Sequence, residues 1–109
     1  MQVTKLDMRI VFCNTDSLKN AKTIASSLVE KKIAACVSII PKVISIYEWE
    51  GKIENREEYT LKIKTIESKL NIIESEILSL HGDQVPEIIT IKVSEVFDKY
   101  EDWVSGILV

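Results

Sequence analysis

The stretch IAACVSIIPKVISIYEWEGKIENREEYTLKIKTI, Ile33 to Ile66, decides how this chain is read. Its first half, as far as Trp49, is dense in Ala, Val and Ile, and at about 3.3 Å per residue one strand of that length overruns a small domain. Pro41 interrupts it. Because proline cannot donate to a ladder, position 41 belongs at a sheet edge or a bulge. In EWEGK, Gly51 supplies a tight reversal. From Lys52 to Ile66 the residues alternate, with Tyr59, Leu61 and Ile63 on one side and Lys62 and Lys64 on the other. The stretch predicts a long hairpin whose first strand lies at an edge.

The flanking sequence supplies what covers that hairpin. Leu6 to Cys13 contains RIVFC, a β-branched and aromatic run followed by the turn formers Asn14 to Ser17, and predicts a central first strand. Leu18, Ala21, Ile24, Ala25 and Leu28 have helical spacing, with Asp16 or Ser17 placed to cap and Lys31 and Lys32 at the end. A second helix is predicted over Glu67 to His81, carried by Ile66, Leu70, Ile73, Ile77 and Leu80, with Gly82 as its C-terminal cap. After Pro86, Glu87 to Val93 (EIITIKV) reads as a largely buried strand. Phe97 to Leu108, with Tyr100 and Trp103, reads as a short closing helix.

The predicted fold class is α+β: a ferredoxin-like βαββαβ sandwich with an extended hairpin between its second and third strands and a short C-terminal helix. That topology puts IAACVSIIP at the sheet edge, where a long apolar strand invites aggregation unless something covers it. Tyr47, Trp49 and Ile53 project beyond what two helices can cover. A closed homo-oligomer satisfies both; the other reading folds Tyr47 and Trp49 back onto their own domain.

Composition bounds the function. The 109 residues form one domain, 1–109, with residues 1–7 as an N-terminal extension of unread role. Hydrophobic residues at 46% and charged residues at 28% exclude a disordered, collagenous or coiled-coil chain. A net charge of -3 has the wrong sign for tracking a phosphate backbone, so nucleic acid is not an expected partner. The longest apolar run, Ile33 to Val37, is far short of the roughly 18 residues that span a bilayer. MQVTKLD has no signal-peptide character, and the expected location is the cytoplasm, with Cys13 and Cys36 as thiols.

His81 is the single histidine, so a Cys13–His81 dyad would stand without an orienting third group or an oxyanion hole, and no enzyme class is justified. The same pair, with Asp83, Asp16 or Glu87 nearby in sequence, offers soft and borderline donors for copper or zinc. The blander reading makes Cys13 a small core residue and His81 a cation at a helix C-terminus. Cys13 and Cys36 do not bridge, because the third strand separates the first two. Cys36 reads as a buried small hydrophobe, Lys62 as solvated, and Lys64 as a cation for an anionic ligand near a cleft. Two other uses of this fold are disfavoured. Cys13-Asn14-Thr15-Asp16 lacks the arginine of an acylphosphatase loop, and NREEYTLKIK lacks the basic, aromatic octapeptide of an RNA-recognition module.

AACVSIIPKVISIYEWEGKIE, then Glu58, LKIKT, Leu80-His81, VPEII, Tyr100 and Trp103, in this order, closely resembles the CutA family of divalent-cation tolerance proteins over Arg9 to Trp103. The resemblance implies a ferredoxin-like subunit assembled into a tight homotrimer, similar in architecture to the PII signalling proteins. It implies divalent-cation tolerance, with copper binding attributed to Cys13 and His81. Where the family typically reads His-Pro-Tyr this chain has His81-Gly82-Asp83, and where some members have a second histidine it has Leu80. Asp83 then completes the candidate metal set. Fitted to the family, Tyr47, Trp49, Lys64, Glu87 and Trp103 line a cleft between subunits that suits a small polar ligand. Two functions follow: copper or divalent-cation tolerance by binding the ion, or a PII-like small-ligand sensor or assembly scaffold without direct metal binding. No cofactor is required, and copper or another divalent cation is the candidate ion.

Overall fold

The computed structural model describes residues 1–109 as an α+β chain. In chain order it has β1 (Gln2–Val3), β2 (Met8–Thr15), α1 (Leu18–Glu30), β3 (Cys36–Trp49) and β4 (Lys52–Ile66). A 3-10 turn (Glu67–Lys69) then leads into α2 (Leu70–Leu80), β5 (Ile88–Lys92), β6 (Glu95–Val96) and α3 (Asp98–Leu108). Strands β3-β4-β2-β5 form one antiparallel sheet, and β1 pairs with β6 in a small second sheet.

The hairpin forms as its residues dictate. Trp49 pairs with Lys52 across Glu50-Gly51, whose φ values of 51° and 77° are both positive, as the two-residue turns that match strand twist require. At Pro41 the ladder slips: Ile40 pairs with Thr60 and Val43 with Glu58, so Pro41 and Lys42 face Tyr59 alone. This two-against-one bulge, with Lys42 at φ 60°, absorbs the missing proline donor.

Direct pairs share a face, so the register sorts the sheet. Val11, Cys13, Leu61 and Ile63 lie under Ala21, Ile24 and Leu28 of α1 and Ile73 and Ile77 of α2. On the other face Ile91, Ile10, Lys64 and Cys36 form one row, and Ile89, Phe12, Lys62 and Ser38 the next. Helix α3 covers only the end of that face, where Val104 and Leu108 meet Met8, Ala35 and Ile66.

Four expectations are corrected. The strand expected over Leu6 to Cys13 is β2, Met8–Thr15, because Asp7 takes a positive φ and the ladder with β4 begins at Met8. Glu87 to Val93 does not form a buried strand: β5 is the outer edge of the sheet, with Ile89 and Ile91 53% and 50% exposed. Gly82 is not a left-handed cap, since Gly51 is the glycine with positive φ. Helix α2 stops because His81 turns extended, while the Asn20 side-chain amide donates to the open Leu80 carbonyl at 3.0 Å. Cys36 is half-buried rather than fully buried, because α1 and α2 pack on the opposite face of the sheet.

Residues 1–7, unread in the sequence, are tied down by one carboxylate. Glu101 on α3, 3% exposed, accepts from Gln2 Nε2, Thr4 Oγ1 and the backbone N–H groups of Lys5 and Leu6 at 2.7–3.0 Å. Those bonds outweigh the burial that opposes ionisation and hold its acid at about 2.

Candidate functional site

The ends of β2 and α2 meet at one backbone carbonyl. His81, placed by the extended turn after α2, sets Nε2 2.6 Å from the Asn14 oxygen. The Asp83 N–H donates to His81 Nδ1 at 2.9 Å, which makes Nδ1 the acceptor and Nε2 the protonated nitrogen that donates to Asn14. Cys13 Sγ lies 3.9 Å from the same carbonyl. Cys13 is fully buried, and burial first, then the charges of Glu87, Asp83 and Glu58, push its thiol up to about 12.

Asp83 belongs to a second cluster. Its Oδ2 accepts from Arg56 Nη2 at 2.8 Å, and Glu58 Oε2 lies 3.2 Å from the same nitrogen. The hydrogen bond to Asp83 leads the effects that raise Arg56 above its ordinary value. Arg56 Nε is buried without a partner. Arg56 spans the hairpin and the 82–87 loop, because β4 presents it beside Glu58 while the loop delivers Asp83.

Around this cluster lies a cleft of about 650 Å³ between the projecting hairpin and the loop after α2. Tyr47 and Trp49 form its aromatic wall, Asn14 its floor, and Glu54, Glu58, Asp83 and Glu87 its carboxylates against the single cation Arg56. Three of the sequence-predicted ligand residues, Tyr47, Trp49 and Glu87, therefore line one cavity within one protomer. Lys64 and Trp103 lie elsewhere: Lys64 on the open sheet face beside Cys36, and Trp103 on α3 with its ring 5.7 Å from Tyr100. Arg56, Asn14 and Glu58 escaped the sequence reading. No local pattern says that Arg56 meets Asp83 across 27 residues.

The donor set can be tested against a divalent ion. A thiol ligand must lose its proton, an imidazole ligand must keep a ring lone pair free, and a carboxylate must give up its existing partner. Cys13 is buried and protonated, both nitrogens of His81 are engaged within the chain, and Asp83 holds Arg56. No group of three or more His, Cys, Asp or Glu side chains comes together that could hold a metal ion. As folded in one protomer, Cys13, His81 and Asp83 are neighbours that do not fit a copper or zinc ion.

A sheet edged by β3 and β5, with two helices on one face and a cleft at the hairpin, places the chain among small α+β proteins. Residues 9–106 match the family described as CutA1 divalent ion tolerance protein, and the chain belongs to it. It is 41% identical over 103 residues to the Protein CutA homolog of Xenopus laevis, covering 94% of this chain and 67% of that one. It is 36% identical over 94 residues to the divalent-cation tolerance protein CutA of Thermus thermophilus, covering 86% and 91%. The crystal structure of CutA from Xylella fastidiosa superposes with a TM-score of 0.91 at 33% identity, covering 94% of this chain and 99% of that one. The chain spans about half the length of the plant and mammalian relatives it matches. The family description and the name of the Thermus thermophilus relative speak of divalent-ion tolerance. No helix is long and apolar enough to cross a membrane.

Proposed function

We propose that this chain serves divalent-cation tolerance as a cytoplasmic, PII-like scaffold: a homotrimer of ferredoxin-like subunits whose cleft holds a small polar ligand, without direct copper capture at Cys13, His81 and Asp83. The observation that carries this reading is the closed donor set, above all the His81 ring bound at both nitrogens. The strand order β3-β4-β2-β5 supports the ferredoxin-like subunit. Exposed Ile44, Ile46, Ile53, Ile89 and Ile91 on open edges and an uncovered face support assembly, and the number three rests on the family resemblance. In an assembly, Lys64 and Trp103 of one copy are available to complete the cleft of another.

Native mass spectrometry of the reduced protein, with and without equimolar Cu and Zn, reads assembly and metal together. The expected result is a trimer that keeps no stoichiometric ion. An ion retained by the wild type and lost from a Cys13→Ser, His81→Ala double variant overturns the metal-free reading in favour of direct capture. A monomer overturns the assembly.

A further inference from the structure

The lining of the cleft between the hairpin and the 82–87 loop pairs aromatic rings with an excess of carboxylates. The β3–β4 register sets Tyr47 opposite Glu54 and Ser45 opposite Arg56, so Tyr47, Trp49, Glu54, Arg56 and Glu58 share one face of the hairpin. Tyr47 and Trp49 are 36% and 41% exposed, and the one aromatic ring pair of the protomer is Tyr100 with Trp103, which leaves both cleft rings unstacked.

Glu54, Glu58, Asp83 and Glu87 bring four negative charges against the one positive charge of Arg56, a surplus of three. Asp83 and Glu58 hold Arg56, whereas Glu54 and Glu87 enter none of the protomer's ion pairs. Glu58 is only 7% exposed, and its Oε1 is reached by Asn14 Nδ2 at 3.5 Å, too long for a good hydrogen bond. A nearly buried carboxylate oxygen on the cleft wall is therefore short of a donor. The negative field reaches the interior, where the charges of Glu87, Asp83 and Glu58 add to burial in pushing up the Cys13 thiol.

Resting on the reading of the cleft as a ligand site, we propose that its ligand is a small aliphatic polyamine, a methylene chain carrying two or more ammonium groups. Ammonium N–H groups donate to Glu54, Glu58 and Glu87 in charge-assisted hydrogen bonds. Tyr47 and Trp49 attract a cation over their faces and cover the methylenes between the charges. An anion meets the surplus of negative charge, and a hydrated metal ion offers the rings no carbon to cover. The surplus also favours more than one ammonium, since with Lys64 of a neighbouring copy in the cleft it falls from three only to two. A volume of about 650 Å³ lies within the range of small-molecule sites.

Spermidine is the probe, added to the isotope-labelled, assembled protein at neutral pH and physiological ionic strength, with the Trp49 indole N–H followed by NMR and assigned through Trp49→Phe. The expected result is a saturable shift that magnesium chloride of equal ionic strength neither produces nor removes. A Glu54→Gln, Glu87→Gln double variant is expected to bind spermidine about tenfold more weakly. Both positions are exposed and outside the ion pairs, so the fold does not depend on them. A shift that magnesium matches or removes marks general counterion attraction and overturns the proposal, as does a double variant that binds like the wild type. Citrate separates this failure from failure of the cleft itself. A shift with citrate and none with spermidine overturns the polyamine and keeps the cleft as a ligand site; silence toward both overturns the polyamine and counts against the cleft as well.

Discussion

Glu101 holds four donors from a segment nearly a hundred residues away, and that concentration of bonds on one carboxylate has a measurable pH signature. Its acid is held at about 2, against an ordinary 4.5. A depressed acid stabilises the fold fully above its unfolded value, and that stability is lost as pH falls from about 4.5 toward about 2. Glu101→Gln is expected to cost about 2 kcal/mol at pH 7 and to flatten the acid limb, as read by urea midpoints at neutral pH and in acid. An unchanged midpoint would show that the Glu101 charge contributes nothing to stability. Nothing in the local string YEDW marks Glu101, since its partners arrive only when the N-terminal segment folds across α3. Cys13 carries the second residue-scale prediction. With its thiol pushed up to about 12, a disulfide reagent at mildly alkaline pH should titrate Cys36 and leave Cys13 unreacted until denaturant is added.

At the scale of elements, the two glycines that punctuate the chain separate cleanly. Gly51 sits at φ 77° in the hairpin turn, so Gly51→Ala is expected to cost about 1 kcal/mol through left-handed strain alone. Gly82 has no such φ and a Cβ there would meet nothing, so Gly82→Ala should stay within about 0.5 kcal/mol. Thermal unfolding of the two variants side by side decides whether the turn or the helix end needs glycine. What ends α2 is Asn20, which accepts from Thr15 Oγ1 and donates to the Leu80 carbonyl, joining β2, α1 and α2. Asn20→Ala is expected to destabilise the fold by roughly 1–2 kcal/mol by leaving that carbonyl unpaired. The hairpin was legible because alternation, proline and a two-residue turn are local signals. The end of α2 was not, because the group that satisfies it comes from another helix.

For the whole molecule, shape and surface point the same way. The protomer measures 45 × 25 × 22 Å, and its long axis reflects a hairpin whose strands exceed the body that the helices cover. Exposed isoleucines on β3 and β5 lie at both open edges of the sheet. An Ile89→Asp, Ile91→Asp pair introduces two charges on a surface already half-exposed in the protomer, so the subunit should still fold while assembly weakens. Light scattering is expected to give a multiple of the chain mass for the wild type and a shift toward one chain for the variant. A variant that assembles like the wild type would remove β5 from the interface.

The order of the four strands of the main sheet and the three helices, the long hairpin with its bulge at Pro41, and the placement of Cys13 and His81 near neighbouring ends of β2 and α2 were set by the linear chain; the small β1–β6 sheet was not. They rest on period, proline and turn chemistry, which act between residues close in sequence. Membership of the CutA1 family was readable for the same reason, as a series of short strings in fixed order. Only tertiary structure decided what those residues can do. It turned His81 onto the Asn14 carbonyl, paired Asp83 with Arg56, and buried the Cys13 thiol, so three apparent ligands became a closed hydrogen-bonded group. It also left β5 at an open edge and stood Lys64 beside Cys36. Hydrogen-bond saturation and burial depend on partners far along the chain, and no local pattern carries them.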